Sequence, residues 1–255
     1  MNSIVVTLVS KLPPDDIYPS GMIDPIRPKI FGRAFFPGGY GLFEGVTQSF
    51  PVHPIMLVGQ DFGTREYWND VGIASESNQG TWSGLAGMLA RARIDPCACF
   101  FTNVLLGVRV EGRIDGPSPG LAFEPYVEAC ANYLVEQIRV VRPSVVVALG
   151  KIPSILLSRQ FGLTSALGPP SPNDARNPSW HAIDAAIEPF HPSSSSPGGV
   201  AFAFATSVHP DRYRINVRHR AWKSQGLKGE AAHDLIWSRV ASTSSAEAES
   251  PPHIV

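Results

Sequence analysis

Four short apolar runs, separated by longer amphipathic stretches, constrain the fold of this chain more than any other feature. Each run is rich in β-branched or aromatic residues and ends at a polar or glycine-containing turn, which is typical of strands buried on both faces of a parallel sheet. The sequence therefore predicts four central parallel strands. The runs are PIMLVG (54–59), CFFTNVLL (99–106), SVVVAL (144–149) and VAFAFATSV (200–208).

Stretches with a helical spacing of apolar residues alternate with these runs. In the longest, Tyr126, Cys130, Leu134 and Ile138 share one stripe. Strand alternating with helix indicates right-handed βαβ units. We therefore expect an α/β fold, a three-layer αβα sandwich with a central four-stranded parallel sheet. The helical stretches are 83–94, 124–141, 151–162 and 216–240.

The length of 255 residues and the 44% hydrophobic content fit one domain, which we place at residues 1–240. Gly and Pro crowd into two stretches, so we expect an irregular N-terminal segment at 1–53 and an irregular loop insertion at 168–199. Residues 241–255 are small and polar, which predicts a disordered tail.

The composition excludes several classes of protein. A formal net charge of −1 gives no global electrostatic case for nucleic-acid binding, so that case must come from local clusters. Three cysteines favour a reducing compartment and are too few for a four-cysteine zinc or iron–sulfur site. The chain has no signal-peptide pattern and no bilayer-length apolar run. We expect a cytoplasmic protein without a metal and without membrane contact.

Ligands of parallel α/β sheets bind at the carboxyl ends of the strands, so we expect the functional residues there. GQDFG (59–63) follows the first run and brings Asp61 to this edge, although an Asp after a strand is often only a turn or cap residue. Asn103 lies within the second run. Its amide is either satisfied by neighbouring backbone or recognises a planar group such as a pyrimidine edge.

Three His-Pro pairs compete for a functional role, and their positions rank them. His53 precedes the first run, at the opposite edge of the sheet, and His191 lies in the serine-rich insertion. Only His209 directly follows a predicted strand, and the proline after it turns the chain away from the sheet. The sequence therefore favours His209.

Basic residues follow His209 and outnumber the single acid, Asp211. Such a cluster is usually a solvated helix face, and the alternative is a loop that holds phosphates beside the site. The arginines concerned are Arg212, Arg214, Arg218 and Arg220.

Together these motifs resemble those of the uracil-DNA glycosylase superfamily. GQDFG (59–63) resembles the Gly-Gln-Asp-Pro-Tyr motif of one branch, and FFTNVL (100–105) is similar to the strand with the base-reading Asn. VRPSVVVALGKIPSILL (141–157) and TSVHPDRYRINVRHRAW (206–222) resemble later segments of the iron–sulfur and related branches, and QGTWSGLAGML (79–89) an earlier one. With too few cysteines for the iron–sulfur cluster, the chain resembles an atypical branch.

The resemblance implies a uracil-DNA glycosylase that acts in base-excision repair on single- or double-stranded DNA, without a cofactor. The target nucleotide is flipped out of the stack before its glycosidic bond is hydrolysed. Asp61 would position the attacking water and stabilise the sugar cation, and His209 would donate a hydrogen bond to the departing base. Asn103 would read the pyrimidine edge.

The same resemblance assigns the rest of the base pocket to Gln60, Phe62, Gly63 and Trp82, with Trp82 or Phe62 stacking on the base. Gly63 stands where the best-matching motif has a tyrosine that excludes thymine. The pocket is therefore expected to be roomier and to admit deaminated bases such as xanthine or hypoxanthine. Arg212, Arg214, Arg218 and Arg220 would contact the DNA strand.

Two other functions remain open. One is a non-catalytic binder of uracil-containing or abasic DNA, which the presence of Asp61 disfavours. The other is a flavodoxin-like nucleotide binder, although the glycine-rich FPGGYGLFEG (36–45) does not join a strand to a helix as a phosphate loop should. A monomer is the expected state for an enzyme that tracks DNA.

Overall fold

The computed structural model describes residues 7, 8, 10–23, 55–66, 80–111 and 116–248. Its centre is a five-stranded sheet, whose strands in chain order are β2 (Ile55–Gly59), β3 (Cys99–Asn103), β5 (Val145–Leu149), β6 (Phe190–Ser195) and β7 (Ala201–Ser207). Across the sheet the strand order is β3-β2-β5-β7-β6. The first four strands in this order are parallel, and β6 pairs with β7 in the antiparallel sense at one edge. Short antiparallel pairs join β1 (Met22–Ile23) to β4 (Val108–Arg109) and β8 (Ala221–Trp222) to β9 (Leu227–Lys228).

Helices cover both faces of this sheet. Because β3 and β5 flank β2 on opposite sides, right-handed connections place the helix after β2 on one face and those after β3 and β5 on the other. The predicted α/β class and its four parallel strands are confirmed, with an additional antiparallel edge strand. The helices are α1 (Gly80–Ala92), α2 (Glu124–Val141), α3 (Lys151–Gln160), α4 (Trp180–Ala186), α5 (Tyr213–Asn216) and α6 (Gly229–Ala248).

The α2 helix shows how the sequence pattern produces this packing. Its predicted stripe of Tyr126, Cys130, Leu134 and Ile138 is buried, with each side chain at most 1% exposed. The helix ends at Val141, and the next residue, Arg142, adopts a left-handed conformation (φ 51°) that closes the last turn. Within the described part of the chain, no helix combines the length and the apolar character needed to cross a bilayer.

The expected irregular insertion at 168–199 is wrong for its second half, which contains α4 and β6. Ser179 caps α4 through a hydrogen bond from the Ala182 amide to its side chain, and Trp180 and Ile183 anchor the helix in a small apolar cluster. The serine-rich β6 pairs with β7, with a register shift between His191 and Ser194. This segment forms a strand despite the low strand propensity of serine, because its backbone pairs with the edge of β7.

Both termini also differ from expectation. The α6 helix continues to Ala248, so residues 241–248 are helical rather than disordered, and the remainder of the predicted tail lies outside the described residues. In the N-terminal segment, Met22 is 4% exposed and belongs to β1, which pairs with β4. The rest of 1–53 is described only in part, and the glycine-rich 36–45 lies outside the described residues.

Candidate active site

A cleft lies outside the carboxyl ends of β2, β3, β5 and β7, where the strand order reverses beside β2. Such a reversal leaves a crevice, because the chain leaves neighbouring strands in opposite directions. The cleft brings together the three polar residues for which the sequence predicted chemistry, namely Asp61, Asn103 and His209.

The carboxylate of Asp61 is almost enclosed, with 5% of its side chain exposed, and Arg109 is its counter-ion. Oδ2 of Asp61 accepts a hydrogen bond from Nε of Arg109 at 2.9 Å, and Nη2 of Arg109 forms an ion-pair contact with the same oxygen at 2.8 Å. Oδ1 accepts one from the Gly63 amide at 3.0 Å. A buried carboxylate needs such partners, because removal from water penalises its charge. Arg109 is not among the site residues predicted from the sequence.

Gly63 adopts a left-handed conformation (φ 74°), which explains why a glycine stands in this turn. Its amide contacts Asp61, and its carbonyl oxygen accepts a hydrogen bond from the Arg109 amide at 2.8 Å. A residue with a Cβ would be strained in this conformation.

Asn103 ends β3 with its side chain buried and facing the cleft. Its Nδ2 atom is buried and has no hydrogen-bond partner within the described residues. A buried amide donor without a partner costs free energy, and a ligand that accepts a hydrogen bond there recovers it. Of the two interpretations left open by the sequence, this observation favours recognition of a ligand.

His209 follows β7, and Pro210 begins a 3-10 turn that runs to Arg212. Burial lowers the pKa of His209, while the nearby Asp211 and Asp61 act in the raising direction and Arg212 in the lowering direction. The helix α1 packs against this turn at Gly84, where a Cβ would lie 2.6 Å from the Pro210 carbonyl oxygen. His209 thus projects into the cleft from a tightly packed turn as a predominantly neutral imidazole.

The remaining predicted base-pocket residues also line the cleft. Trp82 and Phe62 are 3% and 4% exposed, and the Trp82 ring contacts Phe101 edge-on at a centroid distance of 5.2 Å. The Gln60 side chain is already engaged, because its Nε2 donates to the Gly116 carbonyl at 2.9 Å. The two aromatic rings therefore form apolar walls, and Gln60 stabilises the neighbouring loop.

Of the four predicted DNA-contacting arginines, three are exposed. Arg212 lines the cleft and lies 3.6 Å from Asp211, while Arg214 and Arg218 lie beyond its rim. Arg220 corrects the fourth assignment, because its side chain is 0% exposed.

The Arg220 guanidinium is a structural group of the core. It pairs with Asp184 at 3.0 Å, donates to the backbone and side-chain oxygens of Thr206, and lies 4.4 Å from the Trp180 ring centroid. A side chain enclosed in this way cannot reach DNA. The prediction for Arg220 is wrong because the run of arginines passes from the surface to the core within one short turn.

Several residues that line the cleft escaped the sequence reasoning. Ile215 is 51% exposed at its mouth, Lys151 begins α3, and 172–174 forms part of the wall. Ile215 had a usable signal, as an apolar residue among arginines, and Arg109 had one as a charge directly after the uncharged VLLGV (104–108). Nothing in the local sequence distinguished 172–174.

Comparison with known families agrees with this geometry. The family model described as the uracil DNA glycosylase superfamily matches residues 51–211, more than half of the chain. The chain therefore belongs to the uracil-DNA glycosylase superfamily, a class of DNA glycosylases that serve in DNA repair. A search of curated proteins found no significant match.

Proposed function

We propose that the protein hydrolyses the N-glycosidic bond of uracil in DNA and leaves an abasic site for base-excision repair. The observation that supports this most strongly is the convergence of Asp61, Asn103 and His209 on one cleft at the carboxyl ends of neighbouring strands. A carboxylate, an amide without a partner and a neutral imidazole suit a reaction that builds positive charge on a sugar and negative charge on a leaving pyrimidine.

In the proposed reaction, the bond between C1′ and N1 of uracil breaks and its electron pair leaves with the base. Asp61 stabilises the cationic sugar and orients a water whose oxygen then bonds to C1′, while the proton lost by that water passes to solvent. A fixed carboxylate near the developing charge costs no reorganisation at the moment of reaction.

His209 donates a hydrogen bond to the carbonyl oxygen of the departing uracil anion. Because burial lowers its pKa, the imidazole remains a neutral donor at neutral pH and stabilises the anion without transferring its proton. Asn103 reads the base through Nδ2, which donates to a carbonyl oxygen, and through Oδ1, which accepts from the ring N–H.

The base must be flipped out of the duplex to reach this cleft. The exposed side chain of Ile215 lies at its mouth, where an apolar group can fill the gap left in the stack. Arg212, Arg214 and Arg218 are available to the backbone phosphates, since all three are exposed. The glycine at 63 leads us to propose that xanthine and hypoxanthine are also accepted.

The test is incubation with a uracil-containing oligonucleotide, followed by alkali cleavage at abasic sites. We expect cleavage by the wild type, and losses of about 10²–10⁴-fold in Asp61→Asn and His209→Ala. If neither the wild type nor Asp61→Asn cleaves and both bind uracil-containing DNA equally, the protein is a non-catalytic binder instead. Full excision by both variants would show that the site assignment is wrong.

A further inference from the structure

We infer that Arg109 is a positioning residue that fixes the Asp61 carboxylate so that Oδ1, rather than Oδ2, faces the attacking water. This inference rests on the proposed function and deepens it. It assigns a role to a residue outside the motifs by which the chain resembles its family, and it commits the reaction to one oxygen atom.

The hydrogen bonds of the carboxylate distinguish its two oxygens. Each carboxylate oxygen has about two lone-pair sites. Oδ2 accepts hydrogen bonds from Nε of Arg109 at 2.9 Å and from Nε2 of Gln60 at 3.4 Å, and Nη2 of Arg109 forms an ion-pair contact with it at 2.8 Å. Oδ1 accepts only from the Gly63 amide in the described structure, at 3.0 Å. Oδ2 is therefore saturated, and Oδ1 retains a site for a water.

The guanidinium that imposes this asymmetry is itself fixed from several directions. Arg109 belongs to β4, and its own amide donates to the Gly63 carbonyl at 2.8 Å, so backbone and side chain both hold the 61–63 turn. Nη2 also donates to the Gly116 carbonyl at 2.8 Å. Only 4% of its side chain is exposed, so Arg109 is held in this orientation by packing as well as by hydrogen bonds.

The strand pairing behind Arg109 extends this support to the N-terminal segment. β1 pairs with β4 through Met22 and Arg109, and the Val110 amide donates to the Gly21 carbonyl at 2.9 Å. Residues 21–23 thus anchor the strand that delivers the guanidinium to the site.

The role of Arg109 is geometric rather than a gain in electrostatic attraction. A guanidinium beside the carboxylate offsets part of the negative charge that stabilises the sugar cation, so charge alone would favour its removal. What it provides is a planar, two-point grip, which a lysine ammonium cannot reproduce. Arg109→Lys therefore separates orientation from charge.

The experiment measures single-turnover uracil excision and DNA affinity for wild type and Arg109→Lys. We expect the rate to fall about 10²-fold, as for small misplacements of catalytic groups, with the dissociation constant for DNA unchanged. Arg220→Lys, the same change in the buried pair away from the cleft, is the matched control and should keep the wild-type rate.

Two further variants keep the test decisive. Asp61→Asn combined with Arg109→Lys should be no slower than Asp61→Asn alone, because Arg109 acts through Asp61. If Arg109→Lys does not fold, Arg109→Ala is assayed with and without added guanidinium ion, which should restore the rate by refilling the vacated space.

The results separate this inference from the proposed function. An inactive wild type would overturn both. With an active wild type, any of four results would overturn the role of Arg109 alone. They are full activity in Arg109→Lys, a defect of Arg109→Lys confined to DNA binding, additive losses in the double variant, and no guanidinium rescue of Arg109→Ala.

Discussion

Two buried aspartate–arginine pairs, Asp61–Arg109 and Asp184–Arg220, have similar distances and burial but different surroundings. Their shortest distances are 2.8 and 3.0 Å, and each of the four side chains is at most 5% exposed. Asp61 borders the cleft, so the acceptor capacity left on its Oδ1 is open to a ligand there. Asp184 lies in the core, where its Oδ2 accepts from the Ala221 amide and its buried Oδ1 has no hydrogen-bond partner among the described residues. The same chemical pair therefore serves reaction geometry in one place and the scaffold in the other.

The core pair also shows what burial costs. Burial raises the pKa of the Asp184 carboxyl and lowers the pKa of the Arg220 guanidinium, although each partner acts in the opposite direction on the other. Desolvation thus outweighs pairing for both groups, and the pair is retained for the contacts that it organises around Thr206 and Ala221. Removing either partner leaves a buried charge without compensation.

The largest expected effect comes from the same isosteric change in each pair. Asp61→Asn should lower the single-turnover excision rate about 10²–10⁴-fold, because it removes the carboxylate that orients water. Asp184→Asn should keep the rate, because that residue is away from the cleft. Equal rate losses in the two variants would erase the distinction between site and scaffold.

The second effect is on the free energy of unfolding, for which the Asp184–Arg220 pair is expected to matter more than the Asp61–Arg109 pair. Asp184→Asn should destabilise the protein by about 3–5 kcal/mol, because Arg220 then remains fully buried without its counter-charge. Denaturant unfolding measures this, with Glu136→Gln in the exposed pair with Arg139 as the control, for which a loss of at most about 1 kcal/mol is expected. Similar losses in both variants would contradict the account.

Two buried histidines extend the comparison to pH. Burial lowers the pKa of His209, so the excision rate should stay on its plateau as the pH falls through about 6.5, the ordinary value. The neutral donor is then still present in acid where a typical histidine has become charged. A rate that falls with a midpoint at the ordinary value would show that His209 is not the neutral donor.

His233 is the scaffold counterpart, 1% exposed, with its Nε2 accepting a hydrogen bond from Trp237 at 3.1 Å. Burial, with Arg220 and Arg91 nearby, lowers its pKa to about 3. Its folded-state pKa is depressed, so its contribution to stability is present above about 6.5 and is lost as the pH falls toward 3.

Unfolding free energies measured across this pH range should therefore decline less steeply in His233→Gln than in the wild type. His219→Gln, at an exposed position, is the control and should follow the wild-type slope. If His233→Gln declines as steeply as the wild type, His233 does not contribute to acid lability.

The smallest effect concerns the exposed arginines. Arg214→Ala and Arg218→Ala should each weaken binding to uracil-containing and undamaged DNA alike and reduce the salt slope by about one. The measurement is a titration of fluorescent oligonucleotide at several salt concentrations. Unchanged slopes in both variants would remove these residues from the DNA surface.

The sequence predicted the parallel strands and the cleft at their ends because both follow from local pattern. Three of the apolar runs end within one residue of their strands, while the second continues to 106, beyond the end of β3 at Asn103. Asp61, Asn103 and His209 lie at these strand ends or within two residues of them. Ranking the three His-Pro pairs by their position relative to the predicted strands favours His209, and His209 lines the cleft. His191 belongs to the edge strand β6.

Three of the errors share one physical cause, which is contact between residues distant in sequence. Arg220 is buried because Asp184 lies across from it, and Arg109 reaches Asp61 because β1 and the 61–63 turn hold β4 in place. The serine-rich β6 forms because β7 offers an unpaired edge. None of these partners could be identified from the residues around the feature itself.

The most direct test of the account is the release of free uracil from a uracil-containing oligonucleotide under single-turnover conditions, by wild type, Asp61→Asn and Asp184→Asn. We predict release by the wild type and Asp184→Asn, and a loss of about 10²-fold or more in Asp61→Asn with DNA binding retained. No release by a folded, DNA-binding wild type, or equal release by all three proteins, would contradict the assignment of this cleft as a glycosylase site.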